Sequence, residues 1–252
     1  DKIFTFIRHN QMINQKIVLI TSGGTTVPLE SRTVRYIDNF SIGTRGSTSA
    51  EYFLGLGYAV VFLHRRGSLQ PYNRNFQHKN FLELFTTNDA DDGDVKIKSE
   101  FKGLLGMCFA KYHLHVENKT LLNVEFTTLS DYLYLLKVTS EFLNECMESA
   151  MLYLAAAVSD FYIPFVDMPQ HKIQSSSGPL HLSLQIVPKF LKPLTSKILP
   201  RAFVVSFKLE TDPSLLLQKC HKALDTYNHQ VVIGNILENR KREVVVVTKD
   251  SE

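Results

Sequence analysis

KIVLITSGG at 16–24 and DNFSIGTRGSTSAEYFLGL at 38–56 are the stretches from which the rest of the chain is read. The run Ile17, Val18, Leu19, Ile20 has no polar alternation, which predicts a strand buried on both faces. It breaks at Thr21-Ser22-Gly23-Gly24. The second stretch packs Ser41, Gly43, Thr44, Gly46, Ser47 and Thr48 into eight residues, and Ala50, Phe53 and Leu54 then fall on one helical face. Strand, small-residue loop and helix N-terminus together make a phosphate site. Small side chains let backbone N–H groups approach an anion, and the free donors and dipole of the first helical turn favour negative charge by roughly 0.3–1 kcal/mol. The unit reads as nucleotide-binding.

Composition sets the wider bounds. A chain of 252 residues, 44% hydrophobic, can bury a substantial core. Lys and Arg number 28 against 25 Asp and Glu, a balance that argues against a nucleic-acid or membrane surface. No run of about 18 apolar residues occurs, so no spanning helix is expected. The three cysteines, Cys108, Cys146 and Cys220, are odd in number and lack CxxC spacing. That usage suits reduced thiols in the cytoplasm better than a disulfide framework or a zinc site. With Asp1 at one end and a strand-like run stopping just short of Glu252 at the other, both ends are expected to be trimmed.

Residues 1–15 mix apolar and polar side chains and predict a leading helix. AVVFLH (59–64) follows Gly57-Tyr58 as a second buried strand, completing a β–loop–α–β unit with parallel strands. From 65 to about 127 the pattern weakens and reads as an insertion around one or two helices. Its acidic stretch DADDGDVK (89–96) is a solvated loop. An EF-hand fails there, because Gly93 at loop position six puts Asn88, Ala90 and Ser99 where ligands belong. Leu129, Leu133, Leu136 and Leu143 predict a helix over 128–145, and MLYLAAAV (151–158) a third buried strand. Irregular 163–187 reads as a flap or hairpin arm. A helix at 188–199, a strand at 202–207 and a helix at 213–227 follow, the last with Asp212 as N-cap and Pro213 at its first position. VVIGNI (231–236) and EVVVVT (243–248) are further strands. This alternation predicts one domain over 1–252, a three-layer, Rossmann-like α/β fold on a mostly parallel sheet. Ligands in such sheets sit beyond the carboxyl ends of the strands, which gathers Gly23-Gly24, Ser159-Asp160, Lys208-Leu209-Glu210 and Asn235 on one edge.

A nicotinamide dehydrogenase is the first rival reading. SGGTTVP lacks G-x-G-x-x-G, and Pro28 falls where a helix should be established. Tyr134 and Lys137 are three apart rather than four, and the second strand ends in His64-Arg65-Arg66, which suits NADP at most. No P-loop motif occurs. A non-catalytic nucleotide-binding module is the second rival.

Read together, the blocks resemble a known family. VRYIDNFSIGTRG (34–46) is similar to the signature of phosphopantothenoylcysteine synthetase, the ligase of coenzyme A biosynthesis. SGGTTVPLE (22–30), AAAVSDFYIP (155–164), HKIQSS (171–176), FKLETD (207–212) and VVIGNILENR (231–240) match in the expected order. FKLETD, HKIQSS and the long insertion resemble the stand-alone eukaryotic form. The resemblance implies ligation of 4′-phosphopantothenate with L-cysteine. A nucleoside triphosphate, ATP or CTP, activates the carboxylate as an acyl-nucleotide with release of pyrophosphate, and cysteine then displaces the nucleoside monophosphate. It also implies Mg²⁺ on the triphosphate and a homodimer whose flaps and substrate sites meet across the interface.

Roles carry over residue by residue. Gly23, Ser41, Gly43 and Gly46 approach the nucleotide phosphates, and Phe207 and Asn235 meet the base and ribose. Gly46→Val is then expected to weaken nucleotide binding in a folded protein. Asn39 donates to the substrate carboxylate and serves the second half-reaction, and Lys172 swings from the flap over the α-phosphate. Ala156, Ala157 and Asp160 hold the pantothenate arm. Arg35 anchors the substrate's phosphate or cysteine's carboxylate, because arginine binds such groups bidentately, and it could equally pair with Glu30 or Asp38. Ile42 and Thr44 stand where relatives carry S-S-G-[KR]; Arg45 is expected to offset the missing basic residue one place on.

Overall fold

The structure is a computed structural model that describes residues 2–77, 79–87 and 94–249. Seven strands form its central sheet: β1 (Ile17–Ser22), β2 (Ala59–Arg65), β3 (Leu121–Phe126), β4 (Ala150–Leu154), β5 (Phe203–Glu210), β6 (Val231–Ile236) and β7 (Val245–Val247). Their order is β7-β6-β5-β4-β1-β2-β3, parallel throughout except for β7, which runs antiparallel on β6. The main helices are α1 (Lys2–Met12), α2 (Thr44–Gly55), α3 (Ser99–Glu117), α4 (Leu129–Leu143) and α5 (Pro213–Tyr227).

The sheet takes this form because β1 and β2 are apolar on both faces. Every residue of β1 is buried, and alternate side chains divide between two cores. Ile17 and Leu19 meet Leu136 and Leu143 of α4 and Phe6 and Ile7 of α1. Val18 and Ile20 meet Ala50 and Leu54 of α2 on the opposite face. Full burial of each such side chain stabilises the fold by roughly 1.5–3 kcal/mol. A third cluster seats Leu216, Cys220, Ala223 and Leu224 of α5 against Val232 and Val247. This is the three-layer α/β fold expected. α4 starts at a capping box in which Thr128 and Asp131 bond each other's backbone N–H, and α5 starts at Asp212 and Pro213 as foreseen. The three cysteines are free and buried. Among the described residues, no helix is long and apolar enough to cross a membrane.

Several boundaries differ from those read in the sequence. Residues 121–126, placed within the insertion, form β3 and pair with β2. As an edge strand with Asn123 and Glu125 in its middle, β3 lacks the apolar run that marks a doubly buried strand. Among the described residues, the rest of the insertion is short turns, an antiparallel pairing of 85–87 with 95–97, and α3, in which Cys108 is buried. The acidic residues 89–93 lie outside the described residues. β4 stops at Leu154 rather than 158, because the next amides leave the ladder: Ala155 N–H donates back to the Tyr153 carbonyl, Ala156 N–H to the Thr21 side chain and Ala157 N–H to the Gly23 carbonyl. The helix expected over 188–199 is reduced to Leu191–Pro193 and a π-turn over Leu194–Ile198, with prolines at 188 and 193. The arm over 161–187 forms a strand pair at its base, Phe161–Tyr162 against Gln185–Ile186, and its Pro169 and Gln170 carbonyls accept from Ser31 and Arg32 N–H.

Candidate active site

β1 delivers its chain to the carboxyl edge of the sheet, where the small residues explain the geometry. Gly23 has φ 84° and Gly43 φ 85°, left-handed conformations that favour glycine. Gly43 is also the N-cap of α2, so no side chain caps the helix and no acid occupies its first turn. The first-turn N–H groups are left for an anion from outside. Ser22 Oγ donates to the Gly43 carbonyl at 3.1 Å, fastening the loop to β1.

Gly24 has a different function. A Cβ there would lie 1.6 Å from the Asn39 carbonyl oxygen, so the chain bearing Asn39 rests directly on Gly24. The Asn39 N–H also donates to the Thr25 carbonyl at 3.1 Å. Between these points the chain makes a small hairpin, Thr26–Pro28 against Tyr36–Asp38. The glycine turn and the catalytic candidate are therefore one backbone knot. The Asn39 side chain is half-buried, and its amide has no hydrogen-bond partner among the described residues. Gly46 packs face to face with Ser22: a Cβ would lie 2.4 Å from Ser22 Oγ and 2.5 Å from Ser22 Cβ. The expectation that Gly46→Val leaves the protein folded is thus corrected, because valine would pry α2 off β1.

The strands beyond β1 complete the cleft. Ala156 N–H donates to Thr21 Oγ1 at 3.1 Å and Ala157 N–H to the Gly23 carbonyl at 2.8 Å, so both alanines lie against the glycine turn. Asp160 is exposed beside them. Phe207 is half-buried in β5, one residue past that strand's last pairing with β4, and is backed edge-on by Tyr153 at 5.1 Å. Asn235 Nδ2 donates to the Lys208 carbonyl at 2.7 Å. Arg45 reaches across from α2. Its guanidinium carbon is 5.7 Å from the centre of the Phe207 ring, and Nη2 donates to the Arg240 carbonyl at 2.6 Å and to Asn235 Oδ1 at 3.4 Å. In this structure the Arg45 guanidinium is thus engaged with Phe207, Asn235 and Arg240. Ser41 is half-buried in the loop, level with Asn39.

Arg35 and Ile173, the neighbour of Lys172, are tied to each other directly and through Glu30. The fully buried Glu30 side chain takes Arg35 Nη1 at 2.8 Å and the N–H groups of Val34, Arg35 and Ile173. Burial pushes its carboxyl up, but the Arg35 N–H, the guanidinium and the other donors outweigh it and hold the carboxyl below its ordinary range. Arg35 Nη1 also donates to the Ile173 carbonyl, next to exposed Lys172. Of the two partners open to Arg35 the structure selects Glu30, because Asp38 is taken by Arg65. A cavity of about 500 Å³ lies behind this knot, lined by Val27, Glu30, Leu129, Tyr162, Phe165 and Val187. It is mostly apolar and shares no residue with the glycine turn or with Phe207 and Asn235.

The structure also disfavours the dehydrogenase. Arg65 and Arg66 are paired with Asp38 and Glu125. Tyr134 is exposed on α4 and Lys137 pairs with Glu141. The sequence reading missed the turn after β2, where Leu69 N–H donates to the Ile42 carbonyl at 2.9 Å and Ser68 touches Gly23 and Gly43. Gly67-Ser68 at the end of a buried strand was the available signal.

Residues 131–251 match the DNA/pantothenate metabolism flavoprotein C-terminal domain. The chain is 51% identical over 241 residues to the human phosphopantothenate–cysteine ligase, covering 94% of this chain and 78% of that protein. It is 49% identical over 257 residues to the Saccharomyces cerevisiae phosphopantothenate–cysteine ligase CAB2, covering 94% of this chain and 69% of that one. A solved Cab2 mutant in complex with phosphopantothenate-cysteine superposes with a TM-score of 0.92 at 47% identity, over 99% of this chain and 82% of that one. With relatives this similar along nearly its whole length, and with their fold, the chain belongs to the phosphopantothenate–cysteine ligase family.

Proposed function

We propose that the chain, as a phosphopantothenate–cysteine ligase, joins 4′-phosphopantothenate to L-cysteine through an acyl-nucleotide, with ATP or CTP as activating co-substrate. The observation that carries this reading is the knot in which the Asn39 carbonyl rests on Gly24. It holds an unpartnered amide beside an anion cradle that has no cap of its own. The residues fit a nucleotide. Gly23, Ser41, Gly43 and the start of α2 offer N–H and hydroxyl donors to phosphates, while Phe207, Asn235 and Arg45 form an aromatic and polar slot for base and ribose.

A carboxylate and an amine do not condense in water without a good leaving group, and the triphosphate supplies one. The chain's own residues bring the reactants together and stabilise charge. Ala156, Ala157 and Asp160 align the pantothenate arm so that its carboxylate faces the α-phosphorus. Lys172, brought over by the flap, neutralises charge that grows on the α-phosphoryl group. Asn39 donates first to the carboxylate and then to the acyl oxygen as cysteine attacks, so it acts on both transition states. Arg35 bonds Glu30 and Ile173 through Nη1 alone, and the rest of its guanidinium remains for an anionic end of a substrate. Mg²⁺ would sit on phosphate oxygens and water; among the described residues no cluster of His, Cys, Asp or Glu is built for a metal.

The working unit is a homodimer in the cytoplasm. Support for the dimer comes from apolar side chains left exposed on the hairpin and arm, among them Tyr36, Phe40, Phe165, Val166 and Ile186. The reading is tested by pyrophosphate release in the presence of triphosphate, phosphopantothenate and cysteine. Release that requires phosphopantothenate, with a ligated product only when cysteine is added, is expected. No release under any combination would refute it.

A further inference from the structure

We propose that Ser68, on the turn after β2, is a further nucleotide-binding residue whose hydroxyl donates to a phosphate oxygen of the bound triphosphate. The inference rests on the nucleotide reading above and adds to it a residue from outside the glycine loop.

Ser68 Oγ is buried and has no hydrogen-bond partner among the described residues. It stands against both left-handed glycines. A Cβ on Gly23 would lie 3.2 Å from Ser68 Oγ, and one on Gly43 would lie 3.4 Å from Ser68 Cβ. Buried hydroxyls are almost always paired, so a bare one at this place needs an account. The neighbouring carbonyls are each met by other donors, and none of them receives the Ser68 hydroxyl. Gly23 O takes Ala157 N–H at 2.8 Å, Ile42 O takes Leu69 N–H at 2.9 Å, and Arg65 O takes the N–H of Ser68 itself at 3.0 Å. Gly43 O takes three donors, Ser22 Oγ, Ser47 N–H and Ser47 Oγ.

Ser22 and Ser68 flank the same glycine and make a useful contrast. Ser22 commits its hydroxyl to the loop carbonyl, and Ser68 commits its own to nothing. No acceptor among the described residues meets Ser68 Oγ, and it stands next to Gly23 and Gly43, in the loop read above as the phosphate site. A phosphate oxygen suits it, being an acceptor with no proton to clash with the hydroxyl. The residue is also preorganised. The Leu69–Ile42 bond ties its turn to the loop, and the Arg65–Asp38 ion pair ties the end of β2 to the residue before Asn39.

Ser68→Ala in the full chain tests this. ATP or CTP binding, and inhibition by inorganic pyrophosphate, are each expected to weaken by on the order of ten- to a hundred-fold, the weight of a hydrogen bond to a charged group. KM for phosphopantothenate and for cysteine should not change. The melting temperature without nucleotide should hold or rise, because the substitution removes an unpaired hydroxyl. Wild-type affinity for both triphosphate and pyrophosphate would overturn the proposal. So would an equal loss of affinity for all three substrates, which would mark collapse of the loop. Ser68→Cys, close in shape but a weak donor, is expected to fall between the two and serves if the alanine variant misfolds. Failure of the wild-type chain to bind any triphosphate would overturn the nucleotide reading itself, and this inference with it.

Discussion

Replacing Gly24 by alanine puts the central geometric argument at risk. A methyl group there would sit 1.6 Å from the Asn39 carbonyl oxygen, whereas real Cβ atoms essentially never approach closer than 3.0 Å. The segment bearing Asn39 must then retreat by at least 1.4 Å, the difference between those distances. That retreat breaks the 3.1 Å bond from Asn39 N–H to the Thr25 carbonyl, a loss of about 0.5–1.5 kcal/mol. At roughly 2–4 °C per kcal/mol for a chain of this size, the melting temperature should fall by a few degrees. Catalysis should suffer far more, because a misplacement of about 1 Å in a positioned group costs on the order of 10²-fold. The assay follows cysteine-dependent product formation beside thermal melting, with Gly55→Ala as control. Gly55 has open space where its Cβ would go, so that variant should keep full activity. A Gly24→Ala protein within threefold of wild-type turnover would show that Asn39 is not held by this contact, and the reasoning would fail.

Asn39→Ala should slow the overall reaction by about 10²–10³-fold, and rapid quenching should trap acyl-nucleotide that the wild type consumes. Lys172→Gln should lower the rate of pyrophosphate release by roughly 10²-fold with little change in KM for the triphosphate, read by single-turnover kinetics. His229 is buried, accepts or donates through Nε2 to Ser206 Oγ at 2.7 Å, and its imidazole is depressed to about 4, chiefly by burial. A histidine held neutral in the folded state contributes stability that is complete above its unfolded value of 6.5 and drains away as pH falls toward about 4. Urea denaturation between pH 7 and pH 4 should show this decline, and His229→Gln should flatten it.

How much of this was readable in the residues depended on whether the determining contact is local. β1 and β2 are apolar on both faces and β6 is apolar apart from Gly234 and Asn235, so burial is written into each segment. α5 announces itself through Asp212 and Pro213, because capping acts within a few residues. β3 was not readable, since an edge strand with one neighbour tolerates Asn123 and Glu125. The glycine turn was recognisable as an anion cradle, yet the separate purposes of its glycines were not. Gly24 is small because residue 39 crosses it, and Gly46 because Ser22 faces it, contacts set by the fold and invisible to local pattern. The contacts of Arg45 were unreadable for the same reason: its partners, Phe207, Asn235 and Arg240, lie at least 162 positions further along.

The account stands or falls on the carboxylate being activated by a nucleotidyl group in the cleft beside the 41–46 turn. Turnover with phosphopantothenate labelled with oxygen-18 in its carboxylate tests that claim most directly, with mass spectrometry of every phosphorus-containing product. The label is predicted to appear in the nucleoside monophosphate, with none in pyrophosphate. Label found instead in inorganic phosphate, alongside a nucleoside diphosphate, would mean an acyl phosphate and would contradict the mechanism.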